Sequence, residues 1–140
     1  MKRTFRFIRV VIVVLSITFL SSCSHKEMFA KSIIVPGASG QVKVKKDQNN
    51  NYAINVTLKD LPPSKNLVPS KDTYVLWNES ATRTTNIGQL VSSRSLFARG
   101  FKASLTAVSS DKPRRIFITA ENDPKTQTPG THVVLTTNDF

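Results

Sequence analysis

Two serine patterns in the chain could support nucleophilic chemistry. Ser109 and Lys112 have the Ser-x-x-Lys spacing that, on a helix, brings a lysine within reach of a nucleophilic serine. Pro113 follows directly, between two segments with strand patterns, so a turn is expected there. Residues 37–40, Gly-Ala-Ser-Gly, also lack the strand, elbow and helix of a nucleophilic serine. The sequence therefore predicts a protein that is not an enzyme.

Metal-ligand residue types are sparse and poorly spaced. His25 falls in a polar segment, and His132 lies on an alternating segment with no Cys or acid at ligand spacing. Glu121, Asn122 and Asp123 bring three oxygen-bearing side chains together, but calcium takes about six to eight oxygens. We expect an Asp-Pro turn at that position, no metal site and no cofactor.

The chemistry that the sequence does favour lies at Cys23. A positive segment without acids spans residues 2–9, and a short apolar run follows over residues 10–20, which is the order of a bacterial export signal. Leu-Ser-Ser-Cys at residues 20–23 resembles a lipobox, in which the thiol receives a diacylglycerol. We expect cleavage between Ser22 and Cys23, removal of a signal peptide over residues 1–22, and a lipid anchor on Cys23.

Two other interpretations of the leader stay open. A retained transmembrane helix needs roughly 20 apolar residues, and the run over residues 10–20 is only eleven residues long, including Ser16 and Thr18. Ordinary secretion would leave Cys23 as an unpaired thiol in an oxidising compartment. If Cys23 is the anchor, Ser24 in place of aspartate allows delivery to the periplasmic side of the outer membrane in a two-membrane cell.

The mature chain is basic. Four of the 20 Lys and Arg residues belong to the leader, which leaves sixteen against nine acids, a formal charge of +7. Beside a membrane, such a charge favours anionic lipid head groups or acidic glycans as partners. Lysines that only solvate strand faces and protect sheet edges are the simpler interpretation. Export argues against nucleic acid as a partner.

The remaining 118 residues carry an all-β pattern and suffice for one domain. Residues 23–32 are polar and are predicted to be a flexible tether, and residues 33–140 form the domain. About seven strands indicate a two-sheet antiparallel sandwich, with a small closed barrel as the alternative. The predicted strands cover residues 41–46, 52–59, 73–78, 84–92, 101–108, 114–121 and 131–137.

The order of several of these segments resembles the extracytoplasmic C-terminal domain of anti-sigma-K factors. The resemblance covers about residues 73–137 and implies an immunoglobulin-like sandwich that senses or docks a partner and has no catalytic residues. Those proteins also carry a cytoplasmic sigma-binding segment and a full membrane span, for which the 22 residues before Cys23 are too few. Binding of a sigma factor is therefore not expected. The matching segments are Tyr-Val-Leu-Trp (74–77), Asn-Ile-Gly-Gln-Leu (86–90), Phe-Lys-Ala-Ser-Leu (101–105), Phe-Ile-Thr-Ala-Glu (117–121) and Thr-Pro-Gly (128–130) before Val-Val-Leu (133–135).

One segment mixes cations and aromatic residues in the way that partner-binding surfaces do. Arg94, Phe97, Arg99 and Lys102 surround Gly100, and arginine and aromatic side chains are enriched in interfaces. The alternative is an edge loop whose phenylalanines fold inward. The sequence thus predicts a non-enzymatic, lipid-anchored envelope domain that docks an envelope protein, with binding of anionic head groups or acidic glycans through a basic face as the alternative.

Overall fold

The computed structural model describes residues 24–94 and 100–140. These residues form nine strands in two antiparallel sheets, a β-sandwich, as the sequence predicts. The five-stranded sheet has the order β1-β2-β3-β7-β6, and the four-stranded sheet has the order β5-β4-β8-β9. The strands are β1 Ser24–Met28, β2 Ser39–Lys46, β3 Tyr52–Lys59, β4 Thr73–Glu79, β5 Thr84–Leu90, β6 Ser93–Arg94, β7 Phe101–Ser109, β8 Arg115–Glu121 and β9 Val133–Thr136.

Strict alternation builds the five-stranded sheet. In β2, Val42 and Val44 are buried while the lysines between and after them are exposed. In β3, the buried side chains are Ile54, Val56 and Leu58. Because successive side chains of a strand point to opposite faces, one face of this sheet packs on the core and the other faces water.

A hairpin with a polar loop joins β2 and β3. Asp47 receives hydrogen bonds on its carboxylate from the backbone amides of Asn49 and Asn51, each at 2.8 Å. Asn50 adopts a φ of 63°, a left-handed conformation that asparagine tolerates better than most residues. The polar loop therefore closes itself, and the register of the two strands follows from it.

The four-stranded sheet is buried on both faces at its centre. Tyr74 and Leu76 of β4 point into the core between the sheets, whereas Val75 and Trp77 point outward and are also fully buried. The continuous apolar run Tyr-Val-Leu-Trp (74–77) is typical of a strand covered on both faces, and all four of these side chains are buried. Two neighbours in the same sheet, β5 and β8, flank β4.

The structure differs from the expected tether over residues 23–32. Residues 24–28 form β1, which pairs along its whole length with β2. Phe29 is buried in the core and forms an isolated bridge with Thr137 beside the four-stranded sheet. The segment is ordered by backbone pairing and by one aromatic side chain, because its own strand residues are almost all exposed.

Strand limits also differ from the prediction near residues 84–92. The predicted single strand ends at Leu90 in the structure, and the short strand β6 follows in the other sheet. The backbone passes from one sheet to the other at Val91 and Ser92. In the part of the chain that the structure describes, no helix has the length and apolar character needed to span a membrane.

Candidate functional site

The outer face of the five-stranded sheet is lined with lysines. Lys26 of β1 lies opposite Lys43 of β2, and Lys59 of β3 lies opposite Lys102 of β7. All of these side chains are exposed. We call this surface the lysine face; its cations are Lys26, Lys43, Lys45, Lys59 and Lys102.

No carboxylate shares the lysine face. Glu27 is the sole acid within the five strands, and it lies opposite the buried Val42, on the other side of the sheet. Among the described residues, no Asp or Glu oxygen lies within 4 Å of the ammonium group of any lysine of this face. The face therefore carries five positive charges that the protein itself does not neutralise.

Three arginines at one end of the sandwich, unlike the lysines of the lysine face, form ion pairs with acids. Arg83 bonds Asp111 at 2.7 Å, and Arg115 bonds Glu79 at 2.5 Å. Arg114 lies 3.1 Å from Asp139. These three arginines each have an acidic partner, whereas none of the five lysines of the lysine face has one among the described residues.

The rest of the lysine face is polar or small, with a few exposed apolar side chains. Asn55 donates its side-chain amide to the hydroxyl of Thr106 at 3.0 Å, across the β3–β7 pair. Met28 and Val108 are 56% and 64% exposed on the same face. A cationic surface of this kind, with hydroxyl groups between the lysines, suits an extended anionic partner better than a small apolar ligand.

The start of β1 places the predicted anchor at a corner of this face. Ser24 is the first described residue, and it lies opposite Lys45. Cys23 and Ser22 lie outside the described residues, so the structure adds nothing on their own conformation. Because Cys23 is the residue directly before Ser24, any lipid on its sulfur would be attached one residue from the lysine face.

The predicted partner-binding segment is split by the sheet. Lys102 belongs to the lysine face and lies opposite Ser93. Arg94 lies opposite Phe101 on the other side of the same ladder, with its guanidinium 5.8 Å from the ring centroid. Phe97 and Arg99 lie outside the described residues. Because successive side chains of a strand point to opposite faces, Arg94 and Lys102 lie on opposite sides of the sheet. They do not form the single partner-binding surface that the sequence predicts.

The serine pattern at residues 109–112 forms a turn, as predicted. Ser109 is the last residue of β7, and its hydroxyl oxygen accepts hydrogen bonds from the Asn78 side-chain amide at 2.9 Å and the Asp111 backbone amide at 3.1 Å. Lys112 lies in the connection to β8. No helix brings the lysine to the serine, so the geometry of acyl-serine chemistry is not present at this position.

The acidic residues considered for calcium hold a loop together instead. Glu121 accepts hydrogen bonds from the Thr119 hydroxyl at 2.6 Å and from the Gly130 backbone amide at 2.7 Å. Asp123 accepts a bond from the backbone amide of Lys125 at 2.9 Å. Within residues 24–94 and 100–140, no three His, Cys, Asp or Glu side chains cluster in a way that could hold a metal ion.

Comparison with known proteins indicates no function for the site, so its geometry is the basis for a proposal. No protein-family model, no curated protein and no solved structure matches the chain. The lysine face itself has a sequence signal, since Lys43, Lys45, Lys59 and Lys102 occupy the exposed positions of predicted strands. Two facts could not be inferred: that β7 pairs with β3, and that Lys26 belongs to a strand.

Proposed function

We propose that the protein is a non-enzymatic domain held at a cell-envelope membrane by lipid on Cys23, and that its lysine face binds anionic lipid head groups. The observation that carries this proposal is the placement of five lysines and no carboxylate on one sheet face, at whose corner the chain emerges from Cys23. Of the two functions predicted from the sequence, this geometry favours the head-group alternative over protein docking.

The energetics suit two attachments acting together. The diacylglycerol expected on Cys23 carries two acyl chains, which suffice for stable anchoring, so the lysine face would orient the domain on the leaflet and add to its affinity. Each lysine close to an anionic leaflet contributes about 1 kcal/mol, and that contribution decays within a Debye length of about 8 Å at physiological salt. Lysines that share one sheet face can approach the leaflet together more readily than cations on separate loops.

The lack of a spacer supports the same orientation. Since β1 is paired with β2 from Ser24 onward, a lipid on Cys23 would hold the sandwich against the head groups. An approach of the whole face then requires only a rotation about one residue. The expected location remains the periplasmic side of the outer membrane in a two-membrane cell.

Replacement of Cys23 tests the anchor. In cells that express the full chain, Cys23→Ala should abolish the acylated N-terminal peptide detected by mass spectrometry and leave residues 1–22 uncleaved at the Ser22–Cys23 bond. Cys23→Ser, which keeps the size of the side chain but lacks the thiol, should behave in the same way. An unchanged acylated peptide in either variant would refute the lipoprotein assignment.

Vesicle binding tests the lysine face independently of the anchor. A chain that starts at residue 23 with Cys23→Ser keeps both sheets and the described core, and thermal unfolding verifies that it is folded. It should sediment with phosphatidylcholine vesicles that contain phosphatidylglycerol, and less so as salt rises from low to physiological. Lys43→Gln with Lys45→Gln should weaken binding about 30-fold, at about 1 kcal/mol per lysine.

A charge-matched control separates the face from net charge. Lys112→Gln with Lys125→Gln removes two exposed loop lysines that lie outside the lysine face and have no ion pair among the described residues, and it should change vesicle affinity much less. Equal losses in the two double variants would mean that only net charge matters. Absence of binding at either salt would refute the head-group proposal and favour docking of an envelope protein, the first function predicted from the sequence.

A further inference from the structure

We infer that the lysine face contains one discrete site for the phosphate of a lipid head group, in the recess between Lys59 and Lys102. This inference rests on the proposed function and sharpens it from a charged surface to a defined site. The recess is also lined by Thr57, Ser93 and Ser104.

The sheet register brings two cations and three hydroxyls together. Lys59 lies directly opposite Lys102, and Lys102 lies directly opposite Ser93 on the short strand β6. Thr57 and Ser104 form the next opposed pair on the same face. Ammonium groups with hydroxyl donors are the groups that hold a phosphate oxygen in a protein site.

Neither lysine is paired with an acid in the described parts of the chain. Like charges directly opposite each other in an antiparallel pair are destabilising, and an anion between them removes that repulsion. Asp60, the next residue after Lys59, lines a recess with Val35 and Pro62, and its carboxylate lies beside Gly100, but it forms no ion pair with Lys59 or Lys102. Residues 95–99, which connect β6 to Gly100, include no Asp or Glu.

The other directly opposed lysine pair of the face lacks these features. Lys26 and Lys43 carry the same charge in the same arrangement, but they do not line the hydroxyl-bearing recess of Lys59 and Lys102. The polar groups next to them in the same row, Asn55 and Thr106, are bonded to each other. The pair therefore serves as an internal control with equal charge and without the site.

The recess lies at the end of the lysine face that is farthest from the anchored corner. Lys59 lies opposite Ser39, which is six residues along β2 from Lys45 at the anchored corner, or about 20 Å at about 3.4 Å per residue. A lipid on Cys23 alone allows the domain to pivot. A second lipid held at the far end of the same face would fix the sheet parallel to the bilayer.

Nuclear magnetic resonance with inorganic phosphate tests the site without a membrane. On the soluble chain from residue 23 with Cys23→Ser, phosphate should give saturable amide shifts confined to the strands around Thr57, Lys59, Ser93, Lys102 and Ser104. Acetate at equal ionic strength should give none there. Lys59→Gln with Lys102→Gln should abolish the phosphate shifts, whereas Lys26→Gln with Lys43→Gln should leave them unchanged. Shifts that are absent or spread evenly over all five lysines would overturn the inference.

Vesicle sedimentation tests whether the phosphate is carried by a lipid. Loss of two charges should lower the affinity for phosphatidylglycerol vesicles about 30-fold for the Lys26–Lys43 pair. Loss of Lys59 and Lys102 should lower it at least several-fold further. Equal losses would refute the lipid site while the proposed function stands, and a localised phosphate response with equal losses would assign the recess to free phosphate. Failure of the unsubstituted chain to bind vesicles would refute the proposed function itself.

Discussion

The two outer faces of the sandwich are built in opposite ways. The lysine face is exposed and cationic, with no described segment across it. The outer face of the four-stranded sheet carries Val75, Trp77 and Phe117, and all three are buried. Trp77 and Phe117 lie opposite each other on β4 and β8, with ring centroids 6.2 Å apart and planes 14° from parallel.

The difference arises from the loop between β8 and β9. Residues 122–132 cross the outer face of the four-stranded sheet, where the side-chain amide of Asn86 donates to the carbonyl oxygens of Pro124 and Thr126, each at 2.9 Å. Trp77 donates its indole N–H to Thr119 at 2.8 Å, and Thr119 donates in turn to Glu121. One face is thus closed by the chain itself, and the other stays available to an external surface.

Truncation of the central aromatic residue should have the largest effect. Trp77→Ala removes a fully buried side chain and leaves the Thr119 hydroxyl without its donor, and such changes cost about 3–5 kcal/mol of unfolding free energy. Denaturant unfolding measures the loss. Val108→Ala is the control on the lysine face, where an exposed side chain should cost less than about 0.5 kcal/mol. Equal costs would show that the two faces are not closed differently.

Tyr74, which contacts the loop after β3, should make the stability of the fold depend on pH. Burial raises the pKa of Tyr74 from 10.0 to about 12, and its hydroxyl donates to the carbonyl oxygen of Pro62 at 2.9 Å. Above the unfolded pKa, the unfolded chain loses this proton while the folded chain keeps it, so stability should fall as pH rises from about 10 toward 12. The expected loss by about pH 11 is about 1.4 kcal/mol.

Two tyrosine variants identify the source of that loss. Unfolding midpoints at about pH 8 and about pH 11 should differ less for Tyr74→Phe than for the unsubstituted chain, because phenylalanine has no proton to lose. Tyr52→Phe, at a half-buried position, should leave the difference unchanged. An equal pH dependence in both variants would assign the loss to other groups.

Substitution of Glu121, whose carboxylate binds the loop over residues 122–132, should lower stability by a smaller amount. Glu121→Gln keeps one acceptor oxygen but removes the charge that strengthens bonds from Thr119 and Gly130, so about 1 kcal/mol of stability should be lost. Amide hydrogen exchange should show faster exchange at Gly130. Asp123→Asn, on the exposed part of the same loop, is the control and should leave Gly130 protected.

The burial of most strands could be predicted from the sequence, whereas the edge strand β1 could not. The apolar run of β4 and the alternation of β2, β3 and β7 predict buried and exposed sides correctly, since hydrophobic period reports burial. The strand β1 could not be predicted this way because Ser24–Met28 is an edge strand with no buried side chain. Its order comes from backbone pairing and Phe29. The lysine face depends on that same pairing, which brings lysines from distant parts of the chain together.

The smallest stability effect should come from the lysine face itself. Lys43→Gln removes an exposed cation that lies opposite Lys26, so the unfolding free energy should stay within about 0.5 kcal/mol or rise slightly as repulsion is relieved. Thermal unfolding at low salt, where screening is weakest, measures this most sensitively. A loss of more than about 1 kcal/mol would mean that the lysine supports the fold. Unchanged stability together with weaker vesicle binding by Lys43→Gln would show that Lys43 serves binding of a partner and does not stabilise the fold.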